Sequence, residues 1–302
     1  MPSSASSEQL PKPGEVYLDH VGWMVPDMAR AASVFEKLGF PLTPFSVHGD
    51  RDSATGELKP VGTANRLAML PRGYLEILTP VDGVDTPVAR HLKTAIAHHT
   101  GVHLLAFSVA DAEGVVPKIE AQGFAVQPTV HLRRTVEAED GSQVELSFTV
   151  VRAAFEHFAE GRVQVVTHHT PEHMWQNRYL PSDNGITGLL EAAIVTREPR
   201  EAAARFARFL DKPIDGLTSP LAVKLDRGAI RFVDARGAAE HFGRISRPPM
   251  PAICSVTLTS SDLDKTRHFF LSQGLRPGAI DPSHLLIDEA EALGVHLVVV
   301  AE

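Results

Sequence analysis

Three places in the chain put an imidazole or a carboxylate where a strand ought to be apolar. His20 lies inside YLDHVGWMV, where simple alternation sets Leu18, His20, Gly22 and Met24 on one face. Glu76 lies inside GYLEIL and shares a face with Tyr74 and Leu78; a carboxylate between Leu75 and Ile77 needs either solvent or a partner. His168 and His169 close the run VVTHHT, and alternation lets only one of them look inward. Imidazole and carboxylate suit Zn, Mn, Fe, Co or Ni, with neutral imidazole giving one lone pair to the ion. The plainer readings are a packed histidine, a solvated glutamate and two surface histidines at a strand end.

Other polar residues fall nearby. His48 in FSVHGD reads as an acid-base residue, a substrate contact or a solvated loop histidine. Asn65 and Arg66 stand in GTANRL: the amide could bind a ligand or fix a turn, and the guanidinium could hold a carboxylate or face water. Trp175 could line the mouth of a cavity or cap a linker. Glu145 in QVELSF is a further candidate ligand, whereas His103, His296 and Cys254 read as structural.

Elements to position these residues recur along the chain. YLDHVGWMV is followed by PDMARAASVFEKLGF, an acidic turn and an amphipathic helix stopped at Gly39, and then by the strand candidates ANRLAML and GYLEILTP. The same order returns at residues 101–124, 185–210 and 252–275, each followed by further strands. One such β-α-β-β-β unit covers one sheet face with its helix, so pairing two units builds curved sheets around a concavity. The fold expected is α+β: four modules paired into two domains, residues 16–180 and 181–302, after a disordered tail at 1–15. Aligning Asp111 with Asp27 sets Leu104, not a histidine, opposite His20. The second pair of modules has no histidine at the matching places and reads as a non-catalytic support.

Composition bounds the function classes. The 302 residues are 43% apolar and 22% charged, as in a soluble globular protein, with a formal net charge of −8. No Lys/Arg run forms a nucleic-acid patch, and no stretch of about 18 apolar residues suggests a membrane span. With Cys254 as the only cysteine and no apolar run in MPSSASSEQLPKPGE, a cytoplasmic protein is expected. There is no GxSxG elbow, phosphate loop, Rossmann glycine run or CxxC pair.

LDHVGWMVPD with its helix ending LGF, then GTANRL, then GYLEIL, resembles the glyoxalase-like branch of the vicinal oxygen chelate superfamily. THHTPEHMWQNRYLPSDNG looks like a second marker of that branch. The resemblance implies one divalent ion, of unknown identity, on the concave face, with His20 and Glu76 as ligands. The HxTPE-like run favours His168 as the third, with His169 as the alternative. It implies a catalytic part for His48 and substrate contacts from Asn65, Arg66 and Trp175. The expected activity is Lewis-acid stabilisation of an enediolate-like intermediate of a small oxygenated substrate, in a lyase or isomerase. The alternatives are an Fe(II) extradiol-type dioxygenase and a metal-free protein that sequesters a small molecule. No nucleic acid or membrane partner is expected, and the resemblance leaves a homodimer open.

Overall fold

The computed structural model describes residues 9–51, 58–242 and 250–302. Module one runs β1 (Val16–Met24), α1 (Met28–Lys37), β2 (Ser46–Arg51), β3 (Leu58–Met69) and β4 (Tyr74–Pro80). The helix α2 (Pro87–His98) leads to module two: β5 (Gly101–Val109), α3 (Val116–Ala121), β6 (Val130–Glu137), β7 (Gln143–Arg152) and β8 (Arg162–His168). A linker with the short α4 (Pro171–Met174) follows. Module three is β9 (Ile186–Val195), α5 (Pro199–Leu210), β10 (Ile214–Asp215), β11 (Leu221–Lys224) and β12 (Ala229–Val233), then α6 (Ala235–Phe242). Module four is β13 (Ala252–Ser260), α7 (Leu263–Ser272), β14 (Gly278–Asp281), β15 (His284–Ile287) and β16 (His296–Ala301).

The strands form two eight-stranded sheets of the same plan, β2-β3-β4-β1-β5-β8-β7-β6 and β10-β11-β12-β9-β13-β16-β15-β14. In each, the first strands of two modules pair antiparallel at the centre, β1 with β5 and β9 with β13. Each first strand also pairs parallel with the last strand of its own module. The fold is thus α+β, four βαβββ modules in two glyoxalase/dioxygenase-like units.

The module helices form because their apolar residues recur every three or four positions; α1 and α7 are also capped by a side chain, and α3 and α5 open on a proline in the first turn. The Asp27 carboxylate accepts from Arg30 N at 3.1 Å and Asp262 from Lys265 N at 2.9 Å. Each helix buries at least one large side chain (Phe35, Ile119, Phe270 and, on α5, Phe206, Phe209 and Leu210) in a single apolar cluster that takes in the helix-facing side of both sheets. Burial of that size is worth about 1.5–3 kcal/mol per side chain.

The opposite, concave faces are closed differently. On the first sheet α2 lays Leu92 over Met24, Leu78, Leu104 and Ala106. The linker sets Met174 and Trp175 against Leu67, Met69, Tyr74 and Leu146. On the second sheet α6 covers small apolar residues, among them Ala193, Ala252 and Cys254. Gln9, in the segment read from sequence as tail, is fully buried; its amide donates to Pro71 O and accepts from Gly73 N.

Candidate functional site

The first strand departs from simple alternation at the residues that matter. The β1–β5 register slips between Leu18, opposite Phe107, and His20, opposite Ala106. Asp19 is the extra residue of a β-bulge. Leu18 therefore joins the helix-side core with Val21 and Trp23, in place of the shared face with His20 read from sequence. Asp19 and His20 lie side by side, and Asp19 Oδ2 accepts from His20 Nδ1 at 2.7 Å. That bond leaves the His20 lone pair on Nε2. Nε2 lies 3.5 Å from the Tyr74 hydroxyl and 3.8 Å from Glu76 Oε2. Tyr74 stacks on the imidazole with ring centroids 4.2 Å apart.

The strand register explains this meeting. One row across the sheet reads Tyr74, His20, Ala106, Gln164; the next reads Glu76, Gly22, Leu104, Arg162. Gly22 lets Leu104 and Leu78 close over the space between them: a Cβ there would sit 3.0 Å from Leu104 Cβ and 3.4 Å from Leu78. Glu76 is only 9% exposed, and its Oε1 accepts from Asn65 Nδ2 at 2.7 Å.

His168, 5% exposed, is inward, while the exposed His169 bonds Thr149 Oγ1 at 2.8 Å. His168 reaches the pair through Asp19: its Nε2 donates to the carboxylate at 3.1 and 3.2 Å. The β8 residue in the His20 row is Gln164, with His168 further along the strand. Asp19, wholly buried, is pushed upward by desolvation but more strongly downward by His168 and His20, so it stays ionised well below the usual carboxylate range. Among the described residues, no three His, Cys, Asp or Glu side chains converge as a cation-binding cluster.

His48 bonds Thr63 Oγ1 through Nδ1 at 2.9 Å, and burial lowers its pKa despite the nearby Glu76 charge. Tyr74 stays a neutral phenol, its pKa raised by burial and by Asp19 and Glu76. Trp175 walls the linker side, donating from Nε1 to Leu70 O at 3.1 Å with its ring 5.0 Å from His168. Arg66 is placed away from these groups. It follows Asn65 on a strand, so it takes the other face and gives its guanidinium to Thr43 O at 2.9 Å and Leu42 O at 3.4 Å. Exposed Glu145 pairs with Arg133, and His103 donates to His99 O at 2.8 Å.

Sequence reasoning passed over Asp19, Arg134 and Arg162. Asp19 gave a signal, since an acid beside a candidate ligand is a ready orienting partner. The arginines gave none: Arg134 stands on the alternating, half-exposed edge strand β6, and Arg162 opens β8, where only strand pairing shows which row it joins.

The register carries the row through the other modules. The places of His20 and Glu76 are taken by Leu104 and Gln164 in module two, and by Ser255 and Val298 in module four. Module three has Glu191 and Arg231, joined by two bonds of 2.6 and 2.7 Å. Only module one sets an imidazole against a free carboxylate edge.

A family model described as a glyoxalase-like domain matches residues 18–210. No curated protein matches the chain. Among solved structures, a hypothetical protein from Staphylococcus aureus superposes with a TM-score of 0.65 at 11% identity, covering 95% of this chain and 100% of that one. A mutant of 4-hydroxymandelate synthase from Streptomyces coelicolor superposes at 0.61 with 13% identity, over 96% and 93%. A xylose isomerase-like TIM barrel/4-hydroxyphenylpyruvate dioxygenase fusion protein gives 0.54 at 12% identity, over 97% of this chain and 49% of that one. At these identities the likeness is one of fold.

Proposed function

The chain belongs to the glyoxalase-like domain family of the vicinal oxygen chelate superfamily, and from that premise we propose that it is an enzyme acting on a small oxygenated organic molecule in the basin of the first sheet. The observation that carries this reading is the Asp19–His20–Glu76 arrangement, a buried imidazole held at Nδ1 with Nε2 turned to a carboxylate 3.8 Å away.

The donor chemistry fits a divalent ion at His20 and Glu76. Two bonds of about 2.1 Å can span the separation, and a carboxylate behind the ligating histidine fixes its tautomer and raises its basicity. Zn, Mn, Fe, Co and Ni all suit such donors. When bound, the ion would supply Lewis-acid stabilisation of an oxyanion on the substrate. His168 supports this pair through Asp19, and it would have to leave that carboxylate to ligate directly.

The chain's own side chains would do the rest. Asn65 holds Glu76 in place. Tyr74 stays protonated and stacks against His20, so it can donate a hydrogen bond to a bound oxygen. His48, kept neutral by burial, is the proposed catalytic base that takes a proton from the substrate carbon and returns it. Trp175 and α2 keep water from the basin. Lyase or isomerase chemistry follows from these roles. A metal-free binding protein is the second reading, favoured by Leu104 and Gln164 at the module-two places.

Metal analysis of protein purified without an affinity tag separates the two. The enzyme reading expects close to one ion per chain after reconstitution with each of the five metals in turn, and loss of that ion in His20→Ala and Glu76→Gln. An ion-free wild type under all five would leave the binding-protein reading standing alone.

A further inference from the structure

Two guanidinium groups face this basin without a carboxylate to hold them. Arg162 on β8 is 8% exposed, forms no ion pair among the described residues, and has a buried Nε with no hydrogen-bond partner. It still acts on the site's charges: Glu76, Arg152, His48 and the His91 imidazole of α2 all interact with it electrostatically. Arg134 on β6 bonds Ser46 Oγ on β2 at 2.8 Å, joining the two edges of the curled sheet, and its Nε is also buried and unpartnered. The carboxylate that both feel is Glu76, which lies outside ion-pair distance and is bonded to Asn65.

A buried charge without a partner is costly, and proteins retain one where something arrives to pair with it. Burial and Arg152 push Arg162 down only to about 10, so it remains a cation at neutral pH. Its place is informative. Arg162 ends the row Glu76, Gly22, Leu104, Arg162. Three strand spacings of about 4.8 Å put these end residues roughly 14 Å apart between Cα atoms on a flat sheet, and closer on a curled one. Gly22 and Ala106 add little bulk between them, and Leu78, Leu104 and Leu92 of α2 pack over this stretch. A compact molecule admitted beside these leucines would meet His20 and Glu76 at one end and a guanidinium fork at the other.

We propose that the basin selects small organic anions, a carboxylate or a phosphate monoester, and that Arg162, with Arg134 at the rim, is the receptor for the anionic group. This rests on the basin being the ligand site but not on any metal. The fork geometry of arginine suits both oxyanions, so the experiment distinguishes them.

The test is ligand binding by calorimetry and thermal shift on the full chain, with and without a chelator. The probes are benzoate, phenylacetate and lactate, each against its amide, and phenyl phosphate. The anions should bind at least about tenfold more tightly than the amides, with chelator present or absent. Phenyl phosphate outranking the carboxylates assigns the phosphate class, and the reverse order assigns carboxylates. Arg162→Met should remove the preference, Arg162→Lys should keep part of it, and Arg162→Met without ligand should melt higher than wild type. Equal binding of acids and amides by the wild type, or an anion preference that survives in a folded Arg162→Met, overturns the proposal. Because chelator does not enter the expected result, a failed metal reading and a failed anion reading give different outcomes.

Discussion

Asp19→Asn is the sharpest single perturbation of the site, because one buried carboxylate serves two imidazoles. It accepts from His20 Nδ1 at 2.7 Å and from His168 Nε2 at 3.1 Å with no exposure to solvent. Bonds to a charged acceptor contribute about 1.5–3 kcal/mol each, and neutral ones about 0.5–1.5. An asparagine keeps the shape, leaves one acceptor and turns the other atom into a donor. One charge-assisted bond is lost and the other becomes neutral, while the desolvation cost of the buried charge is relieved. The balance is a net loss of about 2–3 kcal/mol, because pairing outweighs burial in holding this carboxylate ionised. At about 2 °C per kcal/mol for a chain of this length, the melting temperature should fall by roughly 4–6 °C.

The second consequence is at the ion. Loss of the carboxylate behind a ligating histidine typically costs 10–100-fold in metal affinity, so the ion of the proposed enzyme should bind about that much more weakly. Nitrogen-detected histidine NMR gives the direct check, since wild-type His20 should carry its proton on Nδ1. A wild-type His20 protonated on Nε2 refutes the reasoning outright. So would an Asp19→Asn protein with unchanged melting temperature and unchanged ion affinity.

Two further perturbations follow from the same geometry. Gly73 has φ +78°, and a Cβ there would lie 2.6 Å from Asp19 O; Gly73→Ala should cost about 2–4 kcal/mol and weaken ligand binding, read by denaturant titration and calorimetry. His91 and His99 on and after α2 are both lowered from 6.5 to about 4, burial being the main cause. Their folded forms resist protons that the unfolded chain accepts, so their contribution is complete above pH 6.5 and is lost as pH falls toward 4. Melting curves across that window should show the decline, and it should flatten in the His91→Gln/His99→Gln double variant.

What could be read from the sequence, and what could not, divides along local and non-local lines. The four modules were legible because each announces itself within about 25 residues, through an alternating strand, an acidic turn and a helix whose apolar side chains recur at helical spacing. The helix α2 was passed over although its start is marked: Thr86 accepts from Ala89 N at 3.1 Å and Pro87 opens the first turn. The face of Asp19 could not be read, because a bulge is a property of two strands and only the pairing with Phe107 and Ala106 reveals it. Arg162 was silent for the same reason. Its relation to Glu76 runs through two intervening strands from opposite modules.

The four repeats share a backbone and differ in what they do with one pair of positions. Module three fills it with Glu191 and Arg231, which satisfy each other through two short bonds and leave no donor for a ligand. Module four fills it with Ser255 and Val298, beneath a lid of small apolar residues. Module two offers Leu104, which has no donor atom, and Gln164, whose neutral amide oxygen is a weaker ligand than a carboxylate. Residue choice, not backbone, therefore sets module one apart, and the first sheet is asymmetric: imidazole and carboxylate on one side, guanidinium groups on the other. A symmetric four-donor site would grip an ion from both modules and leave little room for charge recognition. With a buried cation in the row of Glu76, the module-two side is given, on the proposed reading, to holding the ligand, which is the division of labour that the Arg162 variants probe.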